Sequence, residues 1–176
     1  MMNFIYRLFL AFSATYLIVV VYLIKEKYIL TIFEDYPVVL SHILFVVIPI
    51  ALTYLSFFIL PSLAKATIAK TSIIDIELAN NTFLPTYLGY FFVSLGVTDI
   101  ETLIFIFIII YLFTYLSQTL YFNPLFLLFG FHFYFLTNTD QVKIFLITRK
   151  SIKKPQEFDF NNLRRINDFT FIDTEK

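Results

Sequence analysis

There is no cysteine among the 176 residues, which rules out disulfides, thiolate metal sites and cysteine nucleophiles. Tryptophan is missing too, and glycine occurs only three times. So few glycines leave no GxxxxGK[ST] or GxGxxG phosphate loop, and no HExxH zinc motif occurs either. The two histidines, His42 and His132, are too far apart in sequence to imply an acid, base or metal constellation. Thirteen basic and thirteen acidic residues cancel, so no bulk attraction to nucleic acid arises and no direct nucleic-acid binding is expected. Apart from Arg7, the long apolar runs carry no Asp, Glu, Lys or Arg. Ion-coupled transporters place such charges near the midplane and often repeat their halves with inverted topology, and neither feature is visible. The chain therefore reads as non-enzymatic, with no cofactor and no metal.

What remains is strongly apolar. Hydrophobic residues make up 59 % and charged residues 15 %, against about 45–50 % and about 25 % in soluble domains; the mean hydropathy is +0.80. That surplus implies lipid. The twenty-four Phe and twelve Tyr accompany abundant Ile, Asn and Lys, which fits an AT-rich coding bias better than a dedicated aromatic lining.

Four spans are expected, at about 4–24, 38–60, 82–97 and 102–122. The first, Phe4–Ile24, is long enough to cross at about 1.5 Å per residue. No A-x-A site precedes Lys25, so it reads as an uncleaved signal anchor rather than a signal peptide. Pro37 opens the second span, where its missing N–H costs nothing, and His42 in its early turns reads as structural or interfacial. Between Pro61 and Asn81, with Lys65, Lys70, Asp75 and Glu77, one or two short amphipathic helices at the membrane surface are expected. Asn80-Asn81-Thr82 offers a helix start for the weakest span, Phe83–Val97, for which a re-entrant segment is the alternative. Gly89, Ser94 and Gly96 are small enough to admit a neighbouring helix. The short link Thr98–Glu101 predicts a tight antiparallel pair of spans three and four, with Asp99 and Glu101 favouring the start of the fourth. That span, Thr102–Phe122, has no charge and ends because Pro124 disfavours helical geometry at Asn123. Asn123 and Pro124 thus mark a helix break at the membrane exit. Ser13, Thr15, Thr53, Ser56, Ser94, Thr114 and Ser117 read as polar contacts between helices.

Residues 124–176 follow a different period. Phe131, Phe133 and Phe135 alternate with His132, Tyr134 and Leu136, and Ile144 and Leu146 with Phe145 and Ile147, as strands do. Thr137–Gln141 supplies the turn. Both faces of this hairpin are apolar, and an isolated hairpin is marginal in water. It must pack on the later tail, a neighbouring subunit or a partner. Phe131, Phe133, Tyr134, Phe135, Phe145 and Ile147 are the expected packing residues, and Phe158–Phe160 and Phe169–Phe171 are candidate further strands. Arg149, Lys150, Lys153, Lys154, Arg164 and Arg165 form a basic cluster, read as solvated surface, as contacts to anionic lipid, or as a dock for an acidic protein partner or nucleic acid, the last weakened by the interleaved Glu157, Asp159 and Asp168. His132 reads as a strand residue and not a ligand.

Basic residues gather on one side if the N-terminus is cytoplasmic: Arg7, Lys65, Lys70 and those after residue 140, against Lys25 and Lys27 outside. The fold expected is an α-helical polytopic membrane protein of four transmembrane helices (1–123) with a small β-rich cytosolic C-terminal module (124–176). Both termini would face the cytoplasm.

The strings NTFLPTYLGYFFVSL (Asn81–Leu95) and YFNPLFLLFGFHFYFLTNTDQVKIFLITRK (Tyr121–Lys150) resemble the membrane subunit family, KwaA, of the Kiwa anti-phage system. The pattern runs through Asn123, Pro124, Gly130 and Tyr134 and covers about the C-terminal half. This resemblance implies a four-span, oligomeric inner-membrane protein that helps detect infection and recruits a soluble cytosolic effector, KwaB, acting on phage DNA processes. From the residues alone, a sensor or scaffold is expected, with a channel or pore-forming effector, or a bacteriocin-type immunity protein, as alternatives. The partners expected are the lipid bilayer, further copies of this chain and a soluble cytosolic protein.

Overall fold

The computed structural model describes residues 2–68, 73–117, 123–155, 160 and 162–175. Helices α1 (Met2–Thr15) and α2 (Leu17–Lys25) form one rod interrupted at Tyr16. The interruption is slight, because Tyr16 N still donates to the Phe12 carbonyl at 2.9 Å. The Thr15 hydroxyl donates to the Ala11 carbonyl at 2.9 Å, a back-bond that bends helices. After a turn at Thr31–Phe33, α3 (Val38–Ile59) returns. Pro49 lies inside α3 and cannot donate to the carbonyl one turn back. The rods Asn3–Lys25 and Val38–Ser62 are long and apolar enough to cross a membrane. Helices α4 (Leu84–Gly96) and α5 (Ile100–Leu116) are shorter, at 13 and 17 residues, or about 20 and 26 Å of rise.

Helix α5 begins two residues earlier than expected because Asp99 caps it. The Thr102 amide donates to Asp99 Oδ1 at 2.8 Å and the Thr102 hydroxyl to Oδ2 at 2.9 Å. The expected end of the fourth span, 118–122, lies outside the described residues. The third and fourth spans touch through Tyr90 and Thr114, but they are not each other's main neighbours. Helix α4 packs on α2, and α5 on α1, so the N-terminal rod is the common neighbour. Lys25 closes the α2–α4 pair by donating to the Val97 carbonyl at the end of α4, where a cation also meets the negative end of the helix dipole.

Among the described residues of 61–81 there is no amphipathic helix. The described part supplies β1 (Lys65–Ala66) and β2 (Ile73–Leu78). The run Ile-Ile-Asp-Ile-Glu-Leu is rich in β-branched residues, which favour a pleated strand over a helix. After Asn123 a short helix α6 (Leu125–Leu128) intervenes before the hairpin, a turn not foreseen. It ends at Gly130, whose φ of +75° suits glycine at a helix C-terminus. Strands β3 (His132–Asn138), β4 (Lys143–Thr148), β5 (Leu163–Arg165) and β6 (Thr170–Asp173) follow. The hairpin turn lies where expected, held by Asn138 Oδ1 accepting from the Asp140 and Val142 amides at 2.9 and 2.8 Å. Of the two further strands expected, Phe169–Phe171 becomes part of β6. In the other, Phe160 is not in a strand, and residues 158–159 lie outside the described ones.

The sheet order is β1-β5-β6-β4-β3-β2, antiparallel throughout except for β4 beside β6. Both edge strands come from the loop between α3 and α4, so the sheet extends beyond residues 124–176. One face carries Phe133, Phe145, Ile147 and Ile172, packed on Tyr6, Leu10, Leu60, Leu63 and Phe126 at the end of the bundle. The opposite face carries Tyr134, Leu136 and Leu146 and is covered by Ile152 and Phe160. The two apolar faces of the hairpin are thus buried by the chain itself, one on the bundle and one under the tail.

Phe133 is fully buried while Phe169 is 44 % exposed. Phe133→Ala is expected to destabilise the sheet by about 3–5 kcal/mol. Phe169→Ala should stay below about 1 kcal/mol. Thermal unfolding of the detergent-solubilised variants checks the difference.

Candidate functional site

The junction of bundle and sheet is built around three buried polar side chains. Asn123 Nδ2 donates to Ser13 Oγ on α1 and to Thr53 Oγ1 on α3, both at 3.0 Å. Ser13 and Thr53 are themselves 3.0 Å apart. Thr53 Oγ1 also donates to the Pro49 carbonyl at 2.8 Å. Asn123 Oδ1 accepts from the Leu125 amide at 3.0 Å, which starts α6. All three side chains are fully buried. The end of α5 sits beside the start of α1, where Tyr115 contacts Phe4 and Arg7. Ser13 lies about two turns further along α1. Asn123 therefore lies inside the bundle and not at its surface, and the break at Asn123 and Pro124 is a buried anchor.

An aromatic layer joins this anchor to the sheet. Phe57 of α3 packs against Phe126 and Phe131 at 5.4 and 5.2 Å. Phe133 stacks on Phe145 at 5.6 Å, and Phe135 reaches Phe145 at 5.5 Å. Ile147 is buried in the same cluster. Tyr134 faces the other way, and its hydroxyl accepts from the Ile152 amide at 3.1 Å, pinning the tail across the outer face. Every expected packing residue of the hairpin is engaged, on one face or the other.

The basic cluster is divided among different tasks. Arg164 donates to the Leu63 carbonyl at 3.1 Å, just past α3. Arg165 pairs with Asp168 across the β5–β6 turn, and its carbonyl accepts from Asn3 at 2.9 Å. Lys150 pairs with Glu175 and lies 4.8 Å from the Phe160 ring. Arg149, Lys153 and Lys154 are exposed, and Arg149 lies 4.6 Å over the Phe131 ring.

Among the hydroxyl residues, Ser94 donates to the Ile18 carbonyl at 2.8 Å and Thr114 lies 3.3 Å from the Tyr90 hydroxyl. Ser13 and Thr53 join helices as described, whereas Thr15 and Ser56 bond within their own helices. Among the described residues, Ser94 meets a neighbouring helix, while the space beside Gly89 and Gly96 is open. His42 lies in an apolar groove with Ile24, Val39 and Val46, and its Nε2 is buried with no hydrogen-bond partner among the described residues. No cluster of three metal-ligating side chains occurs among the described residues.

Asn80, read as a helix start, instead clamps the sheet. Its Oδ1 accepts from the Phe133 amide at 2.8 Å and its Nδ2 lies 3.1 Å from His132 Nδ1. Neither this clamp nor the Ser13–Thr53–Asn123 triangle was recognisable in sequence, because the partners are 40 to 110 residues apart. The one local signal is the pair of hydroxyls buried in otherwise apolar runs.

Asp99 and Asp173, both outside the helices, have shifted carboxyl groups. Asp99 is held below the usual carboxylate range by the Thr102 amide and then the Thr102 hydroxyl. Asp173 is pushed up, chiefly by burial, against the hydrogen bonds from the Glu175 amide and the Thr148 hydroxyl.

A family model described as anti-phage protein KwaA matches residues 6–172, nearly the whole chain. The chain belongs to the KwaA family. The match thus takes in both the bundle and the sheet and reaches beyond the C-terminal half that carried the resemblance. Membership of the KwaA family assigns the protein to anti-phage defence. Neither a curated protein nor a solved structure matches the chain.

Asn123→Ala is expected to cost about 1–3 kcal/mol, because Leu125 N–H and the two hydroxyls lose their buried partner. Thermal unfolding in detergent measures it. A second expectation concerns pH. Asp173 binds its proton more tightly when folded, so its contribution weakens the fold as pH rises above the unfolded value of about 3.9. The melting temperature of Asp173→Asn relative to the native protein should therefore rise between about pH 4 and pH 7. A constant difference across that window would remove Asp173 as its cause.

Proposed function

We propose that the protein is a non-enzymatic membrane sensor and scaffold of a Kiwa-type anti-phage system. In this reading it crosses a bacterial inner membrane four times, with both termini and the sheet in the cytoplasm. It assembles with further copies of itself and docks a soluble cytosolic effector on the sheet.

The observation that carries this reading is the distribution of exposed apolar surface. Phe58 of α3, Phe92 of α4, and Phe105 and Phe113 of α5 are 69, 71, 69 and 64 % exposed. Soluble monomers rarely present apolar patches of that extent, whereas lipid covers them at no cost. The short α4 is compatible with crossing if the bilayer thins locally. Charge supports the orientation. The end remote from the sheet carries Lys25 and Lys27 against Glu26, Glu34, Asp35, Asp99 and Glu101, while the sheet end collects Arg7, Lys65, Lys143, Arg149, Lys150, Lys153, Lys154, Arg164 and Arg165. The open space beside Gly89 and Gly96, seven residues apart on α4, leaves room for the helix of a second copy.

For transmission, the Asn123 triangle ties α1, α3 and the approach to the sheet into one unit. A disturbance that separates α1 from α3 must break buried hydrogen bonds and reposition α6, and with it the aromatic layer under β3 and β4. A set of buried hydrogen bonds that must break together would give the junction the discrete change of state that a sensor needs.

Because the chain has no cysteine, single-cysteine labelling tests the topology directly. Thr98→Cys should react with an impermeant maleimide in intact spheroplasts, and Ser151→Cys only after permeabilisation. Reaction of both from one side would rule out this arrangement. For docking, protein purified from its own locus in mild detergent should carry a soluble cytosolic protein. Lys153→Glu with Lys154→Glu should reduce that association by about tenfold or more without dispersing the homo-oligomer. A homo-oligomer without any soluble partner would sink the scaffold reading.

A further inference from the structure

The link between α2 and α3 does not stand clear of the bundle but folds back along it. The Tyr28 amide donates to the Leu23 carbonyl at 2.9 Å, and the Leu30 amide to Ser41 Oγ at 3.2 Å. The Tyr28 ring lies 6.4 Å from that of Phe45. Ser41 and Phe45 stand about 5 and 10 Å along the axis from Val38, where α3 begins. Residues 28–30 are therefore level with the first two turns of α3. For a helix that crosses a bilayer, that is the depth at which headgroups give way to acyl chains.

The side chains of this segment are sorted as an interface requires. Ile32, in the turn Thr31–Phe33, is 81 % exposed, the highest value for a large apolar residue among the described ones. Tyr28, Ile29 and Tyr36 are exposed as well. Glu26 and Lys27 precede this apolar tip, and Glu34 and Asp35 follow Phe33, all four exposed. The exposed surface continues onto Val39, Leu40 and Ile43 in the first turns of α3, part of the face assigned to lipid above. Four side chains alone fall short of the about 800 Å² a side that a stable protein interface buries. A narrow apolar tip bracketed by charge, with tyrosines at both ends, matches the boundary of a bilayer instead.

We propose that residues 28–36 are a wedge seated in the outer leaflet of the bilayer, whose partner is the phospholipid surface itself. Ile29 and Ile32 reach the acyl boundary, the Tyr28 and Tyr36 rings span the headgroup region, and Glu34 and Asp35 stay in water. The wedge is fastened at both sides, to α2 through the Leu23 carbonyl and to α3 through Ser41. These are the two rods that Ser13 and Thr53 join at the sheet end. A change in outer-leaflet packing thus bears on the same pair of helices whose separation would open the Asn123 triangle, and the wedge is the input of the sensor.

This inference rests on the membrane-embedded reading above, and its test separates the two. The chain has no tryptophan, so a single introduced one reports its own surroundings. Full-length Ile32→Trp, Ile109→Trp and Phe169→Trp proteins, all altered at exposed positions, are reconstituted in phosphatidylcholine vesicles brominated either near the headgroup or near the chain end. Shallow bromine should quench Ile32→Trp about twofold more than deep bromine, as a depth of about 5–10 Å requires. Ile109→Trp, in the middle of α5, should show the reverse order, and Phe169→Trp on the sheet should be quenched by neither. In spheroplasts, Ile32→Cys should react with an impermeant maleimide about tenfold more slowly than Thr98→Cys, which checks the depth with a small side chain. Quenching of Ile109→Trp without quenching of Ile32→Trp would overturn the wedge and leave the embedded bundle standing. In that case, shielding of Ile32→Trp from aqueous acrylamide would assign the segment to a protein partner or a second copy. No quenching at either position would remove the embedded reading and the wedge together, and equal maleimide rates would also overturn the wedge.

Discussion

The bundle depends on a polar contact in an apolar setting. Ser13, Thr53 and Asn123 meet at 3.0 Å where no side chain is exposed. Each such bond is worth only about 0.6–2 kcal/mol between membrane helices. Its importance lies in the alternative, because an unsatisfied polar group in an apolar interior costs more than the bond contributes. Separating α1 from α3 or withdrawing Asn123 leaves several such groups orphaned together. The apolar contacts around them are non-directional and would tolerate sliding. The triangle has one register, and it sets the positions of α1, α3 and α6.

The sheet is placed by the same logic at a larger scale. A hairpin apolar on both faces needs two coverings, and the chain provides both. The end of the bundle receives Phe133, Phe145 and Ile147, while Ile152 and Phe160 close over Leu136 and Leu146. Edge strands from the loop between α3 and α4 flank the four C-terminal strands. Sheet and bundle are therefore joined by the α3–β1 connection, the β2–α4 connection and the Asn123–α6 segment. A rigid, multiply connected joint is what a protein needs if helix rearrangement is to be felt at a cytosolic surface. That is the physical content of a sensor reading for a KwaA family member.

Much of the site was concealed because its chemistry is ordinary. Arg149, Arg164 and Arg165 look alike in a basic run, yet Arg164 bonds the chain just past α3, Arg165 secures a turn, and Arg149 lies over the Phe131 ring. Asn80 sits where a helix cap is expected and bonds a strand 53 residues away. Asn123 was visible as a break through Pro124, a local steric effect. Its hydrogen bonds were not, since they depend on which helices become neighbours.

By itself the sequence determined what local chemistry controls. Apolar length marked the two long rods, alternation marked β3 and β4, and Asn138 and its neighbours marked the turn. These follow from hydrophobicity, period and backbone sterics within a few residues. Only the tertiary structure decided that Lys65–Ala66 and Ile73–Leu78 become edge strands, that α4 and α5 each lean on the N-terminal rod, and that the hairpin is buried by its own chain. Those outcomes turn on non-local pairing. A strand edge, a hydroxyl or an apolar face is satisfied by whichever partner the whole fold brings to it, and no local window of sequence contains that partner.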